Sequence, residues 1–156
     1  MDITKLLQYN TWANRLIIEQ VETFPQDLFG KHVGGSFGSI KSVMIHLLES
    51  DYLWLYRWKG NPLADIPAWQ HPDLASMKKT WYPLQDEMID LSGKISPADN
   101  IKFITRKGAP FTMPFGEIAL HLSHHGSYHR GQLTNMIRDL GQKPVATDYF
   151  LFYTKK

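Results

Sequence analysis

Ile118, Leu122, His125, His129, Leu133, Met136 and Leu140 follow one another at steps of 4, 3, 4, 4, 3 and 4. At about 100° per residue all seven fall within an arc of roughly 80°, which predicts one long helix over about 115–140 with a single core-facing stripe. Gly141 and Pro144 supply its stop signals. Two stripe positions carry imidazoles where leucine would be the default. At spacing i and i+4 those rings lie one above the other and can reach a common atom. Burying both without partners is costly, so the pair predicts either a metal site or hydrogen-bonded core histidines. Gly126, Ser127 and Tyr128 fill the interval. The Glu of the His-Glu-x-x-His zinc-protease signature is missing, which argues against that class.

Three further segments repeat at helical spacing. Ile3, Leu6, Leu7, Asn10, Ala13, Ile17, Val21 and Phe24 predict a first helix over about 2–22, closed by Pro25. The Gly-rich stretch Lys31 to Ser39 lacks the phosphate-cradling Gly-x-x-x-x-Gly-Lys pattern and reads as a connector, with Ser36 or Ser39 offering an N-cap. Ile40, Val43, Met44, Leu47, Leu48, Trp54, Leu55 and Trp58 mark a second helix, stopped by Gly60-Asn61-Pro62. Asp73 can cap a third, whose seam is Leu74, Met77, Trp81, Leu84, Met88 and Leu91. Pro83 inside it predicts a kink or break around Trp81 and Tyr82. Residues 101–113 change character and read as a hairpin turning near Lys107 and Gly108. The tail Asp148 to Tyr153 is too apolar to float free and is expected to pack on the bundle or on a second subunit. The sum is an all-α four-helix bundle with a small β-hairpin between helices three and four, in one domain spanning 1–156.

With no cysteine, the chain can offer a metal only nitrogen and oxygen donors and has no thiol nucleophile of its own. A formal net charge of +2 without any basic cluster argues against a nucleic-acid partner. No run approaches 18 apolar residues, so no spanning helix is expected. The opening residues lack an uninterrupted apolar h-region, and the expected location is the cytoplasm.

Open catalytic metal sites usually have three protein ligands plus water. His121 and His129 are eight residues apart, about 12 Å along a helix axis, and cannot share an ion. The helix therefore offers either 121/125 or 125/129. Register favours 125/129, because His121 sits roughly 80° from the centre of the stripe. His124 points to another face and reads as a surface residue. His46 lies beside the apolar stripe of helix two, which leaves its role as third ligand open. Glu49 and Asp51 are candidates to orient it, or simply solvated. His32 and His71 fall in loops and are expected to be solvated. Glu117 suits the first turn of helix four.

Three pieces of the chain match a known pattern: Tyr9-Asn10-Thr11-Trp12-Ala13-Asn14; Ile45-His46-Leu47 followed by Asp51-Tyr52-Leu53-Trp54; and His125-Gly126-Ser127-Tyr128-His129-Arg130-Gly131-Gln132-Leu133. With these the sequence resembles the DinB superfamily of DinB/YfiT-like metal-dependent proteins, over essentially its full length. The resemblance implies that His46, His125 and His129 are the metal ligands. It also implies an up-down-down-up bundle, a divalent nickel or zinc ion, and homodimers. Relatives in the wider superfamily include S-transferases and isomerases that use low-molecular-weight thiols.

The expected function is therefore a metal-dependent enzyme of thiol S-transferase type acting on a small molecule. Three neutral imidazoles leave a divalent ion its full charge, so a bound thiol or water would deprotonate near neutral pH. Arg130 faces away from the ion on the helical wheel and reads as a structural ion-pair or interface residue. Trp12, Trp54 and Tyr128 are candidates to line a pocket, although each reads equally as core. No residue stands out as a general base. The alternatives are a metal-dependent hydrolase, a non-enzymatic metal-binding stress-response protein, and a bundle whose histidines hold no metal.

Overall fold

The computed structural model describes residues 2–63, 65–69, 71 and 73–154. It is mostly helical. Its long helices are α1 (Ile3–Glu22), α3 (Ile40–Trp58), α4 (Leu74–Ser92) and α5 (Phe115–Asp139). Two short ones, α2 (Gln26–Gly30) and α6 (Tyr149–Thr154), were not anticipated from periodicity because neither is long enough to show one. A two-stranded antiparallel sheet, β1 (Asn100–Ile104) and β2 (Pro110–Pro114), pairs Phe103 with Phe111 and occupies the expected place before α5.

The N-terminal ends of α1, α3 and α4 follow from their caps. The side chains of Asp2, Ser39 and Asp73 accept from the backbone N–H of Lys5, Ser42 and Ser76 respectively. Each satisfies an N–H that has no partner inside its helix. Glu117 sits in the first turn of α5, where the helix dipole favours a carboxylate.

α1 packs against α4 and α5, and α3 packs against the same two helices. Their apolar stripes meet in one core, in which Ile17, Met44, Leu48, Met77, Trp81, Ile118, Leu122 and Leu133 are fully buried. The third-helix seam is buried from Leu74 to Met88, with Leu91 half-buried. α6 packs on α1, its Phe152 ring 5.6 Å from Trp12 and its Tyr149 ring 5.1 Å from Tyr9. Among the described residues no helix is long and apolar enough to cross a membrane.

Of the kink or break expected around Trp81 and Tyr82, the break is absent: α4 runs through Pro83 without interruption. Pro83 and Lys79 are both exposed, so the carbonyl that loses its helical partner to the proline ring faces water. Trp81 and Leu84, buried on either side, hold the helix to the core.

Candidate metal centre

α3 and α5 face each other, and their packing brings together three histidines from distant parts of the chain. His46 comes from α3; His125 and His129 come from successive turns of α5. The His125 Nε2 atom lies 3.1 Å from His46 Nε2 and 3.1 Å from His129 Nε2. One donor atom from each ring falls within 4.8 Å of the others.

Hydrogen bonding alone satisfies this cluster poorly. One ring nitrogen is either a donor or an acceptor, so His125 Nε2 cannot donate to one neighbour while accepting from the other. The tautomer of His129 is set from its far side, where Nδ1–H donates to Gln132 Oε1 at 2.7 Å. That bond leaves the His129 Nε2 lone pair aimed at the other two rings. Four-coordinate zinc, with bonds of about 2.0–2.1 Å, sets its donor atoms roughly 3.3 Å apart, close to the spacing here. The donor set fits: the three rings could hold a metal ion.

The electrostatics agree. Burial, then the neighbouring charges of His129, His46, His121 and Arg106, hold His125 below its ordinary pKa of 6.5, at about 4. His46 is lowered by burial first, then by His129 and Arg106. Both rings are therefore neutral at physiological pH, the state a metal requires.

Phe37 closes one side. Its ring centroid lies 5.0 Å from His46 and 5.3 Å, edge-on, from His129. The Gly-rich connector places it there: Val33 N–H donates to the Gly38 carbonyl at 2.8 Å, closing a reversal in which Gly38 adopts φ 74°. Tyr128, 67% exposed, lies 5.1 Å edge-on from His129 at the outer rim. Sequence reasoning missed Phe37 and the role of Gln132. The i+3 spacing from His129 was the signal for Gln132, but Phe37 depends on a loop fold that no periodicity reports.

The other candidates separate cleanly. His121 and His124 are exposed, and His121 stacks 5.7 Å from His125 without joining the cluster. His32 is exposed, as expected. His71 is not solvated as expected: it is buried beside Trp69, and burial lowers its pKa. Asp51 does not orient His46. It is buried against α4, accepts from Trp81 Nε1 at 2.7 Å, and is pushed by burial up to about 6. Glu49 is half-buried. Trp12 packs on Phe152 rather than on the histidines, and Trp54 is buried between Phe103 and the guanidinium of Arg57.

Arg130 faces away from the cluster, as its wheel position predicts, and among the described residues it forms no ion pair. It is 2% exposed and donates to Asn10 Oδ1 at 2.7 Å, Asn14 Oδ1 at 2.8 Å and Ser127 Oγ at 3.0 Å. Neutral amide oxygens solvate this buried cation where a carboxylate was expected. The same contacts join the segment from Tyr9 to Asn14 to the segment from His125 to Leu133, and so register α1 against the helix that carries two of the three imidazoles.

Comparison with known proteins agrees with these features. The DinB family model matches residues 1–156. Protein DinB of Bacillus subtilis (strain 168) is 31% identical over 168 aligned positions, which cover 97% of this chain and 94% of the relative. A match of that extent, carried by the whole chain, means that the protein belongs to the DinB family.

Proposed function

We propose that the protein is a metal-dependent enzyme of thiol S-transferase type, in which His46, His125 and His129 bind one divalent ion, zinc or nickel. The observation that carries this reading is the convergence of three Nε2 atoms, with His125 3.1 Å from each of the other two. All-imidazole donors suit zinc or nickel, whereas calcium and magnesium want oxygen. A structural zinc site would normally add a fourth side chain, and the cluster contains three.

The residues around the cluster have distinct tasks in this scheme. Gln132 fixes the proton of His129 on Nδ1, so that Nε2 stays available. Phe37 covers the side of the rings next to the connector and keeps water from it. His46 and His125 are only half-buried, which leaves a side open to a small substrate. A bound divalent ion would supply the charge that lets a thiol or water lose its proton near pH 7. With no cysteine in the chain, a thiol must arrive as cosubstrate.

The ring of contacts among α1, α4, α3 and α5 supports reading them as one up-down-down-up four-helix bundle domain. A cytoplasmic homodimer completes the proposal, with Tyr149, Phe150 and Tyr153 as exposed apolar surface available to a second copy.

Cobalt- or nickel-loaded protein titrated with small thiols tests the reading. A change in the metal absorption spectrum, lost in His129→Ala, is the expected result. If no thiol perturbs the ion while water-dependent turnover needs it, the hydrolase alternative replaces the transferase. If the ion binds and no turnover of either kind is found, the metal-binding stress protein does.

A further inference from the structure

The cluster stands at one end of a stripe on α3. His46, Ser50, Leu53 and Arg57 follow at steps of 4, 3 and 4 and share a face of the helix. At Leu53 and Arg57 this face lines a cavity of about 220 Å³ between the end of α3, the loop after it and the β1–β2 turn. Leu53, Leu63, Ile66 and Ile104 give it apolar walls, and Arg57 and Arg106 also line it.

Arg57 is held by its contacts, and Arg106 is carried on an ordered turn. Arg57 donates from Nη2 to the Ile104 carbonyl at 2.7 Å, and its guanidinium lies 4.8 Å from the Trp54 ring centroid and 4.5 Å from that of Phe103. Its Nε is buried without a hydrogen-bond partner. Arg106 sits in the turn closed by Thr105 N–H donating to Ala109 O at 2.8 Å and Gly108 N–H donating to Thr105 O at 2.9 Å. Among the described residues neither arginine forms an ion pair. Asp65, on the cavity rim, is not bonded to either. The charge of Arg106 acts on Arg57 and also on His46 and His125, so the cavity and the imidazole cluster share one electrostatic environment.

Arg57 is 6% exposed with its Nε unpartnered, and the exposed Arg106 adds a second positive charge at the same cavity, so the cavity favours an anion that can accept from that buried donor. We propose that Arg106, with Arg57, binds a carboxylate of the substrate, and that the substrate is a small aliphatic acid whose reactive end reaches the three histidines. The planar guanidinium fork matches a carboxylate in two parallel hydrogen bonds, and the apolar walls take an aliphatic body. His46 and Leu53 are two helical turns apart, so the near wall of the cavity lies roughly 10 Å along α3 from His46. This inference rests on the proposed metal site for its reacting end but not for its carboxylate.

Calorimetric binding of 6-mercaptohexanoate and its neutral counterpart 6-mercaptohexanol, to metal-free and to zinc-loaded protein, tests it. The acid should bind at least about tenfold more tightly than the alcohol in both forms. Arg106→Ala should abolish that preference, and Arg106→Lys should keep part of it. Because Arg106 is exposed on a turn, its replacement should leave the unfolding transition in place. Equal binding of acid and alcohol by wild-type protein, or a preference that survives Arg106→Ala, would overturn the proposal. Stronger displacement of the acid by inorganic phosphate than by pentanoate would overturn the carboxylate assignment. Failure of the metal reading looks different: zinc uptake is then absent while the Arg106-dependent preference persists.

Discussion

The side-chain oxygen of Asn10 occupies the space that a β-carbon on Gly126 would need. That oxygen accepts from Arg130 Nη1 at 2.7 Å, and the guanidinium would itself lie 2.7 Å from such a carbon. α1 and α5 therefore approach this closely only because residue 126 has no side chain. The contact stands between His125 and His129 in sequence, so it ties the packing of the two helices to the positions of the imidazoles.

Replacing Gly126 by alanine should destabilise the protein by about 2–4 kcal/mol, since it forces overpacking and displaces a hydrogen bond to a buried charge. Gly131 lies further along the same helix, exposed, with nothing within 4 Å of the place a methyl group would take. There alanine should stabilise by about 0.5–1 kcal/mol through helix propensity alone. Urea unfolding of the two variants measures both, and a Gly126→Ala protein as stable as wild type would contradict the packing account.

Gln132 should matter to metal affinity more than to the fold. Gln132→Leu frees the His129 Nδ1 proton to move, and loss of such a partner typically weakens metal binding about 10–100-fold. Competition against a chelator gives the affinity, and an unchanged value would show that the 2.7 Å contact does not set the tautomer.

The pH dependence of metal-free protein should carry two opposing contributions. His125 has its folded pKa lowered from 6.5 to about 4, so its contribution to stability is present above 6.5 and is lost as pH falls towards 4. Asp51 has its folded pKa raised from 3.8 to about 6, so its contribution is present below 3.8 and is lost as pH rises through 6. Asp51→Asn keeps an acceptor for Trp81 and removes the buried charge. It should stabilise the protein at pH 7, by up to about 3 kcal/mol, and have little effect at pH 4. Chemical unfolding of the variant at both values decides it; equal effects at the two pH values would mean that Asp51 does not titrate with folding.

Much of this arrangement is legible in the sequence, and the residues show why. The stripe from Ile118 to Leu140 is a long periodic signal, and the 125/129 pair stands out because imidazoles replace leucines within it. His46 is harder. It lies beside its stripe, so only a resemblance selects it, and the fold brings its Nε2 to 3.1 Å from that of His125. Phe37, Arg106 and the buried His71 are not legible, because all three depend on how loops fold back on helices. The amide cradle of Arg130 also escapes sequence reasoning, because wheel position gives a direction and not a partner. Pro83 does not end its helix, because the exposed turn at Lys79 lets water take the lost bond while Trp81 and Leu84 hold the helix to the core.

The most direct test of the three-histidine site is metal content after purification with zinc and nickel available, followed by dialysis. Wild-type protein should retain close to one equivalent of divalent ion, His125→Ala should retain less than about a tenth, and His121→Ala should retain most of it. Wild-type protein holding less than about a tenth of an equivalent would contradict the account. So would retention by His125→Ala, and loss on His121→Ala would point instead to the 121/125 pair.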